Sequence, residues 1–252
     1  MGRAAQTRAA RARSAVKTPP HAGVASLAWD ALERQFDERG YALARGALSA
    51  SECAGLAGQY ADDARFRSRV VMARHGFGSG EYKYFAYPLP QVVRELRSAL
   101  YPRLASIANR WNERLGLRTV FPAELGSFLE TCHRAGQARA TPLLLKYEAG
   151  DYNCLHQDLY GELVFPIQAT FLLSTPRIDF TGGEFVLAEQ RPRMQSKAEV
   201  VSLRLGDAVL FPVRHRPAHG KRGWHRVNMR HGVSRVHSGR RYTLGVIFHD
   251  AR

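Results

Sequence analysis

No apolar run in the sequence approaches the roughly 18 residues that a membrane-spanning helix requires, so we expect no membrane segment. Cysteine is also scarce, with three in 252 residues, widely spaced and without a Cys-x-x-Cys pair. That usage argues against a disulfide framework and against a structural zinc site, and it is typical of a reducing compartment. We therefore expect a cytoplasmic protein.

Acidic residues are scarce as well: 22 Asp and Glu stand against 37 Lys and Arg, for a net charge of +15. Between Ala208 and His249 there is no acidic residue at all, although that stretch holds many basic ones: Arg214, Arg216, Lys221, Arg222, Arg226, Arg230, Arg235, Arg240 and Arg241. A field of this sign favours polyanions such as DNA or RNA. The alternative is a basic composition without a partner, carried by a solvated surface.

The first 22 residues differ in composition from the rest. Residues 1–20 hold five basic residues, no acidic one and no hydrophobic stretch of the secretory type, and they end in Pro19-Pro20. We predict a basic disordered arm over 1–22 that contacts phosphate, with an idle tail as the alternative. Residues 23–252 are then one domain, with a helical support over 23–140 and a β core over 141–252.

The order of elements follows from periodicity and turn residues. Helices are predicted over 24–39, ended by Gly40, over 50–64, capped by Ser49 or Ser51, and over 91–115, as one helix or as two with a break at Pro102. Short strands are predicted over 143–147, 165–173, 185–187, 200–203 and 208–213. This pattern indicates a mainly β protein with flanking helices: a double-stranded β-helix, or cupin-like jelly roll, on an N-terminal helical support.

The stretch around His156-Gln157-Asp158 is the centre of the predicted site. In an extended segment alternate side chains share a face, so His156 and Asp158 point one way and Gln157 the other. A facial site of two histidines and one carboxylate needs such a pair and one further histidine. His-x-Asp alone is a weak signal, because a surface His–Asp pair occurs by chance in many chains.

The C-terminal region offers the third ligand within RHGVSRVHSGRRYTLGVIF, residues 230–248. Together with His-x-Asp it resembles the Fe(II)/2-oxoglutarate dioxygenases, in which a basic residue ten positions after the distal histidine grips the co-substrate. His231 followed by Arg241 fits that spacing, and arginine pairs bidentately with a carboxylate. GYALARGALSASEC (40–53), TGGEF (181–185) and VSLRLGDAVLF (201–211) resemble further segments of those enzymes.

The resemblance implies Fe(II), 2-oxoglutarate and O2 as cofactor and co-substrates, with His156, Asp158 and His231 as metal ligands. Other histidines compete for the third position, namely His215, His219, His225 and His237. Only His225, followed ten residues later by Arg235, also has a basic residue at the co-substrate spacing. His231 is preferred because it has both the glycine neighbour and Arg241.

A narrower resemblance concerns the substrate. Tyr147, nine residues before His156, and the run Leu-His-Gln-Asp are similar to the AlkB-type nucleic-acid dealkylases, which implies that the Tyr147 hydroxyl binds 2-oxoglutarate. The chain departs from that pattern at Leu145, where an Asn would stand, and at Phe248, where a distal Arg would stand. The Arg241 spacing instead resembles the prolyl hydroxylases. The 156–250 stretch as a whole resembles a bacterial family of oxygenases predicted to act on damaged nucleic acid.

Three functions follow as hypotheses. The first is oxidative demethylation of alkylated bases in DNA or RNA, in the cytoplasm or, for DNA, at the nucleoid. The second is hydroxylation of a protein or a small molecule, and the third is a non-catalytic nucleic-acid-binding protein. For the first, we predict nucleic-acid contacts from a loop over 65–90 and from a basic hairpin before His231: Tyr82, Tyr84, Arg214, Arg216, Lys221, Arg222, Trp224 and Arg226.

Overall fold

The computed structural model describes residues 21–191 and 193–252, so most of the predicted N-terminal arm lies outside the described residues. The last two residues of that predicted arm belong to the folded part. His21 is only 6% exposed, and its imidazole lies 2.7 Å from the carboxylate of Glu52. Ala22 begins the first helix. Within the described residues, no helix has both the length and the apolar character needed to cross a membrane.

Five α-helices form the support in the described residues: α1 (Ala22–Ala25), α2 (Trp29–Arg39), α3 (Ala50–Gly58), α4 (Gln91–Arg114) and α5 (Leu125–Arg134). The helix predicted over 24–39 is split, because Ser26 bonds back to the carbonyl of Gly23 and ends the first turn. Gly40 ends α2 in the left-handed conformation, with φ of 80°. Ser49 caps α3 through a capping box with Glu52.

Of the two alternatives for 91–115, one continuous helix is correct. Pro102 lies inside α4 without ending it. The side chains on either side of the proline, Leu100, Tyr101 and Leu104, are all buried. Their packing against the core offsets the hydrogen bond that the proline cannot make.

The part of the chain that the structure describes contains fourteen strands, in the order β1 (Ala42–Ala44), β2 (Phe66–Val71), β3 (Gly78–Ser79), β4 (Glu81–Phe85), β5 (Leu143–Glu148), β6 (Tyr152–His156), β7 (Ile167–Leu172), β8 (Phe180–Gly182), β9 (Phe185–Gln190), β10 (Lys197–Val201), β11 (Ala208–Pro212), β12 (His215–Gly220), β13 (Gly223–Val233) and β14 (Val236–Val246). The larger sheet runs β1-β11-β7-β14-β5-β4-β2, with β8 beside β14. The smaller sheet runs β10-β9-β13-β6-β3, with β12 beside β13. Neighbouring strands are antiparallel, and the predicted jelly-roll core is confirmed.

The prediction of a loop over 65–90 is wrong for most of that segment. Strands β2 and β4 pair with each other, and β4 pairs with β5, so the segment extends the larger sheet. The interleaved aromatic and basic residues alternate across a strand: Tyr84 packs on one side while Lys83 is buried on the other, against the backbone of Tyr60 and the carboxylate of Asp63.

Two apolar clusters flank the larger sheet. One lies between the helices and its outer face, where Leu244 and Val246 of β14 join the side chains of α4. The other lies between the two sheets and includes Tyr147 and Phe185. Because side chains alternate along a strand, Arg241 and Thr243 of β14 face the interior between the sheets. The site therefore lies inside the jelly roll, supported from behind by the helices.

Candidate metal and co-substrate site

Three side chains that could hold a metal ion meet at one place in the described structure. His156 ends β6, Asp158 follows two residues later, and His231 of β13 lies directly opposite His156 in the sheet register. Asp158 Oδ1 is 3.5 Å from His156 Nε2, and Asp158 Oδ2 is 3.2 Å from His231 Nε2. One ligand atom from each of the three lies within 4.8 Å of the others. This is the donor set of two histidines and one carboxylate expected for non-haem iron.

Gln157 points away from that cluster, as the predicted alternation requires. Its amide nitrogen donates to Asn228 Oδ1 at 2.8 Å and to the carbonyl of Met229 at 2.7 Å. The central residue of the motif thus ties the metal-binding segment to β13, two residues from His231. The segment that carries His156 and Asp158 is thus held by hydrogen bonds to residues just before His231.

Two residues that the sequence analysis did not identify hold the Asp158 carboxylate. Tyr160 donates its hydroxyl to Asp158 Oδ1 at 2.7 Å, and Gln168 Nε2 donates to Asp158 Oδ2 at 2.9 Å. Gln168 is also 3.4 Å from His231 Nε2. A signal for it was present, since Gln168 is a large polar residue in a strand, Ile167–Leu172, whose other residues are apolar except for Thr170. Outer hydrogen bonds of this kind orient metal ligands.

The electrostatics of the cluster keep the carboxylate ionised. Burial by itself would raise the pKa of Asp158, but hydrogen bonds and charge interactions with His156 and His231 outweigh it and hold that pKa well below its usual range. Burial, reinforced by the proximity of His156, lowers the pKa of His231. The Nδ1–H of His156 is oriented towards the carbonyl of Cys154, at 2.7 Å, which leaves Nε2 free on the side of Asp158.

A buried arginine, Arg241, lies in the same cavity. Arg241 is 1% exposed, and its Nε and Nη1 have no hydrogen-bond partner among the described residues. Burial lowers the pKa of Arg241 to about 10, so it is still a cation at neutral pH. An isolated buried charge is costly, which points to an anionic ligand in contact with the guanidinium. The donor set and this cation fit a metal ion bound with a carboxylate-bearing co-substrate.

Tyr147 lies beside that arginine. The two residues are opposite each other in the pairing of β5 with β14. Tyr147 is fully buried, and its hydroxyl accepts from Asn153 Nδ2 at 3.3 Å, which leaves the hydroxyl proton able to donate elsewhere. A cavity of about 290 Å³ is lined by Tyr147, Arg241 and the three metal-binding residues together.

The glycine pair in TGGEF has a packing reason. Gly183 has φ of +64°, and a Cβ placed there would lie 2.9 Å from Arg241 Cδ and 2.9 Å from a methyl of Val236. A side chain at this position would displace the arginine stem. The absence of a side chain at Gly183 therefore leaves the space that the buried Arg241 side chain occupies.

The structure also shows where the rival histidines and Leu145 lie relative to the cluster. Among the described residues, the rival histidines His215, His219, His225 and His237 lie outside the metal-binding cluster. Leu145, which stands where the AlkB-type pattern has an Asn, lines the same cavity with an apolar side chain.

The predicted basic hairpin exists as β12 and β13, but not every predicted contact is accessible. Five of its residues are exposed: Arg214, Lys221, Arg222, Trp224 and Arg226. Arg216 is 6% exposed and bonds through Nε to Glu189 Oε2 at 3.1 Å, because its side chain points inward from β12. Tyr84 is also 6% exposed, with Arg67 over its ring at 4.5 Å. The expectation of surface contacts from Arg216 and Tyr84 is corrected, whereas Tyr82 lines the cavity.

Comparison with known proteins adds three findings. A family model named Oxygenase-NA, described as an oxygenase catalysing oxidative methylation of damaged DNA, matches residues 80–251. Two uncharacterized proteins of Mycobacterium tuberculosis, from strains CDC 1551 and H37Rv, are each 50% identical over 167 residues, which is 66% of this chain and 72% of theirs. Both relatives thus align over most of their length.

Solved structures share the fold at low identity. A prolyl-4-hydroxylase of Pseudomonas putida superposes with a TM-score of 0.53 at 16% identity, covering 89% of this chain and 99% of its own. The non-haem α-ketoglutarate-dependent epimerase SnoN from nogalamycin biosynthesis gives 0.54 at 16% identity, covering 86% and 80%. The cluster of His156, Asp158 and His231 is a candidate metal site with the donor set of two histidines and one carboxylate. The chain belongs to the Oxygenase-NA family and is an oxygenase.

Proposed function

We propose that this protein oxidatively demethylates alkylated bases in DNA or RNA, through a single domain that spans residues 23–252. The observation that carries the oxygenase chemistry is one cavity lined by His156, Asp158, His231 and the unpartnered guanidinium of Arg241. The nucleic-acid substrate is supported by the description of the family that matches residues 80–251. This function implies a cytoplasmic location, at the nucleoid if DNA is the substrate.

His156, Asp158 and His231 would hold the iron. His156 presents Nε2 because its Nδ1–H faces the carbonyl of Cys154, and Asp158 is kept ionised by its two histidine neighbours. Tyr160 and Gln168 orient the carboxylate through one hydrogen bond to each oxygen. With 2-oxoglutarate and O2, the iron supplies the oxidation that converts a substrate C–H into C–OH and releases succinate and CO2.

Arg241 and Tyr147 would hold the co-substrate. The planar guanidinium offers N–H groups that no described residue accepts, and a carboxylate supplies two oxygens in matching geometry. The Tyr147 hydroxyl donates a further bond, since Asn153 already occupies its acceptor side. Both groups are buried, so water competes little for them and the co-substrate is fixed in one orientation.

The demethylation itself follows from hydroxylation of an N-methyl group. The product N–CH2–OH loses formaldehyde: the C–N bond breaks, its electron pair stays on nitrogen, and the hydroxyl proton is transferred to that nitrogen. No protein side chain has to gain or lose a proton for the base to be restored. The role of the chain is to bind the methylated base beside the metal ligands and to exclude bulk water.

Several surfaces support a nucleic-acid substrate. The net charge is +15, and the β12–β13 hairpin presents Arg214, Lys221, Arg222 and Arg226 to solvent. Phe77 and Tyr82 line the cavity together with apolar side chains. Aromatic and apolar walls suit a planar base. Inside a duplex such a base is stacked, so single strands and damaged pairs are the easier substrates.

The second candidate function is hydroxylation of a protein or a small molecule. It is favoured by the ten-residue spacing from His231 to Arg241, which resembles the prolyl hydroxylases. A prolyl hydroxylase substrate would bind independently of phosphate charge. The two candidates therefore differ in salt dependence, which is steep for a phosphate-binding enzyme and shallow otherwise.

The deciding experiment measures succinate formed from 2-oxoglutarate with Fe(II), with and without an N-methylated single-stranded oligonucleotide. We expect stimulation by the methylated strand, none by its unmethylated counterpart, and loss of turnover in His156→Ala. His225→Ala is the matched control, since that histidine was the nearest rival for the metal and lies outside the cluster. Turnover that is indifferent to every methylated strand would reject demethylation and favour the second candidate.

A further inference from the structure

A second groove begins at the mouth of the active-site cavity. It has a volume of about 590 Å³ and shares Leu159, one residue after Asp158, with the cavity that holds the metal-binding residues. Its walls come from residues 115–122 after α4, residues 159–164 after the metal motif, and the base of the β12–β13 hairpin. Nothing in the proposed chemistry uses this groove.

Two arginines with no acidic partner line it. Arg214 and Arg226 are both exposed, and among residues 21–191 and 193–252 neither has a carboxylate within 4.0 Å. Burial, together with the charges of Arg214 and Arg226, lowers the pKa of His215 to about 4, so this histidine is neutral at physiological pH. The one carboxylate on the groove wall, Glu162, lies 2.8 Å from Arg252. The groove therefore presents an uncompensated pair of cations.

Three large apolar side chains of the groove are open to solvent. Val120 is 77% exposed, Leu159 43% and Leu117 41%. Large apolar side chains that remain exposed next to free cations are suited to a ligand with both characters. A single-stranded nucleic acid has that composition, with charged phosphates on one side and apolar base faces on the other.

The groove is physically connected to the metal motif. Gln157 lies between the two metal-binding residues of the motif, and its amide nitrogen is 3.4 Å from the carbonyl oxygen of Arg214 and 2.8 Å from Asn228 Oδ1. Asn228 pairs with His215 across the hairpin. A nucleic-acid strand that leaves the cavity past Leu159 thus enters the groove that Arg214 lines.

We propose that this groove is the exit path of a single-stranded nucleic acid, with a phosphodiester bound between Arg214 and Arg226. The inference rests on the proposed function, because it assumes that a nucleotide occupies the cavity. It makes the substrate an oligonucleotide rather than a free nucleoside, because the neighbouring nucleotide supplies part of the binding. It also assigns the phosphate contact to two of the five exposed hairpin residues.

The first test is direct binding of a labelled, unmethylated single-stranded oligonucleotide, followed by fluorescence anisotropy across a salt series. The variant is Arg214→Gln with Arg226→Gln. The control is Arg34→Gln with Arg94→Gln, which removes the same charge from two exposed helix positions away from the groove. Loss of the one phosphate that the pair binds reduces the slope of log affinity against log salt by about 0.7, and weakens binding by about tenfold at low salt. Equal weakening in the groove and control variants would overturn the proposal.

The second test separates this inference from the proposed function. It compares kcat/KM for a methylated oligonucleotide with kcat/KM for the corresponding methylated nucleoside. The ratio falls in the groove variant and stays constant in the control. If the wild type demethylates oligonucleotides and the ratio does not fall, the groove assignment is wrong and the function stands. If no methylated nucleic acid is turned over while the binding difference persists, demethylation is rejected and the groove stands as a nucleic-acid site.

Discussion

Two arginines, Arg97 and Arg241, are each 1% exposed, yet they have opposite surroundings. Arg97 lies on α4 behind the larger sheet and is fully engaged: Nη2 donates to Asp250 Oδ1 at 2.7 Å, Nε to the carbonyl of Ile247 at 2.9 Å, and Nη1 to the hydroxyl of Tyr87 at 2.9 Å. Arg241 lies inside the jelly roll with Nε and Nη1 unpartnered among the described residues.

This difference in hydrogen bonding distinguishes an arginine that stabilises the fold from one that is available to bind a ligand. A buried charge that is paired and hydrogen-bonded joins elements together, as Arg97 joins α4 to the C-terminal end of the larger sheet. A buried charge without a partner lowers stability unless a ligand completes it. Burial of an arginine by itself therefore does not indicate its function, whereas the presence or absence of hydrogen bonds to its guanidinium does.

The largest expected effect is the loss of stability on substitution of Arg97. Arg97→Leu removes the buried cation from the buried Asp250 and leaves that carboxylate with His133 and the Tyr87 hydroxyl. We therefore expect a loss of about 3 kcal/mol in the free energy of unfolding, measured by denaturant titration. The control is Arg94→Gln, an exposed arginine on the same helix, which should change stability by less than about 0.5 kcal/mol. Equal stability in Arg97→Leu and the wild type would remove the distinction.

The reciprocal change is Arg241→Met. It removes an unpartnered charge, so the free energy of unfolding should stay level or rise, while affinity for 2-oxoglutarate falls by about 100-fold. Calorimetric titration with 2-oxoglutarate and Mn²⁺ in place of iron measures the affinity. Arg240→Met is the matched control, an adjacent and exposed residue that pairs with Glu148. Unchanged affinity in Arg241→Met would mean that the co-substrate carboxylate binds elsewhere.

Gln168 is intermediate, because its Nε2 is bonded to Asp158 while its Oε1 is buried without a partner among the described residues. Gln168→Leu removes one of the two hydrogen bonds that orient the carboxylate. We expect metal affinity to fall about tenfold, measured by Mn²⁺ titration of the metal-free protein. Gln190→Leu, at an exposed position on β9, is the control. An unaltered affinity would show that Tyr160 alone suffices to hold Asp158.

The smallest effect concerns pH. Burial lowers the pKa of His249 to about 4, and Nδ1 accepts from the backbone of Phe165 while Nε2 has no partner among the described residues. The unfolded chain binds a proton near pH 6.5 and the native state only near pH 4, so stability is complete above that window and falls as pH drops through it. From pH 7 to pH 6 this group contributes a loss of about 0.7 kcal/mol.

His249→Asn keeps an acceptor for Phe165 and removes the titration. The gap in free energy of unfolding between wild type and variant should therefore narrow by that amount between pH 7 and pH 6, in denaturant titrations at several pH values. A constant gap would mean that His249 becomes protonated in the native state without penalty.

Much of the fold could be read from local pattern. Ser49 with Glu52, the left-handed Gly40 and the short apolar strands are local features, and the structure has them in the predicted order. The loop prediction for residues 65–90 was wrong because the glycines and the mixed aromatic and basic residues of this segment are typical of a loop. Strand β4 of this segment pairs with β5, about sixty residues away in the chain, and β3 pairs with β6, so these strands depend on distant partners.

The site was predictable to a similar extent. His156 and Asp158 follow from alternation, while His231 and Arg241 needed the resemblance in spacing to single them out from competing histidines. Gln168 escaped notice because its hydrogen bond to Asp158 depends on where β7 lies relative to the metal motif. Tyr160 is only two residues from Asp158, and its hydrogen bond depends on the local backbone conformation. Arg216 was misread as a surface contact, since Glu189 on a neighbouring strand supplies its partner.

The sequence by itself determined the class of the protein: the elements and their order, the ligand types, the excess of positive charge and the family. Only the tertiary structure decided which charges are free. Arg97, Arg216 and Arg241 are the same residue type, and each is buried. What distinguishes them is whether the fold brings a carboxylate to each guanidinium, a long-range property that no local pattern encodes.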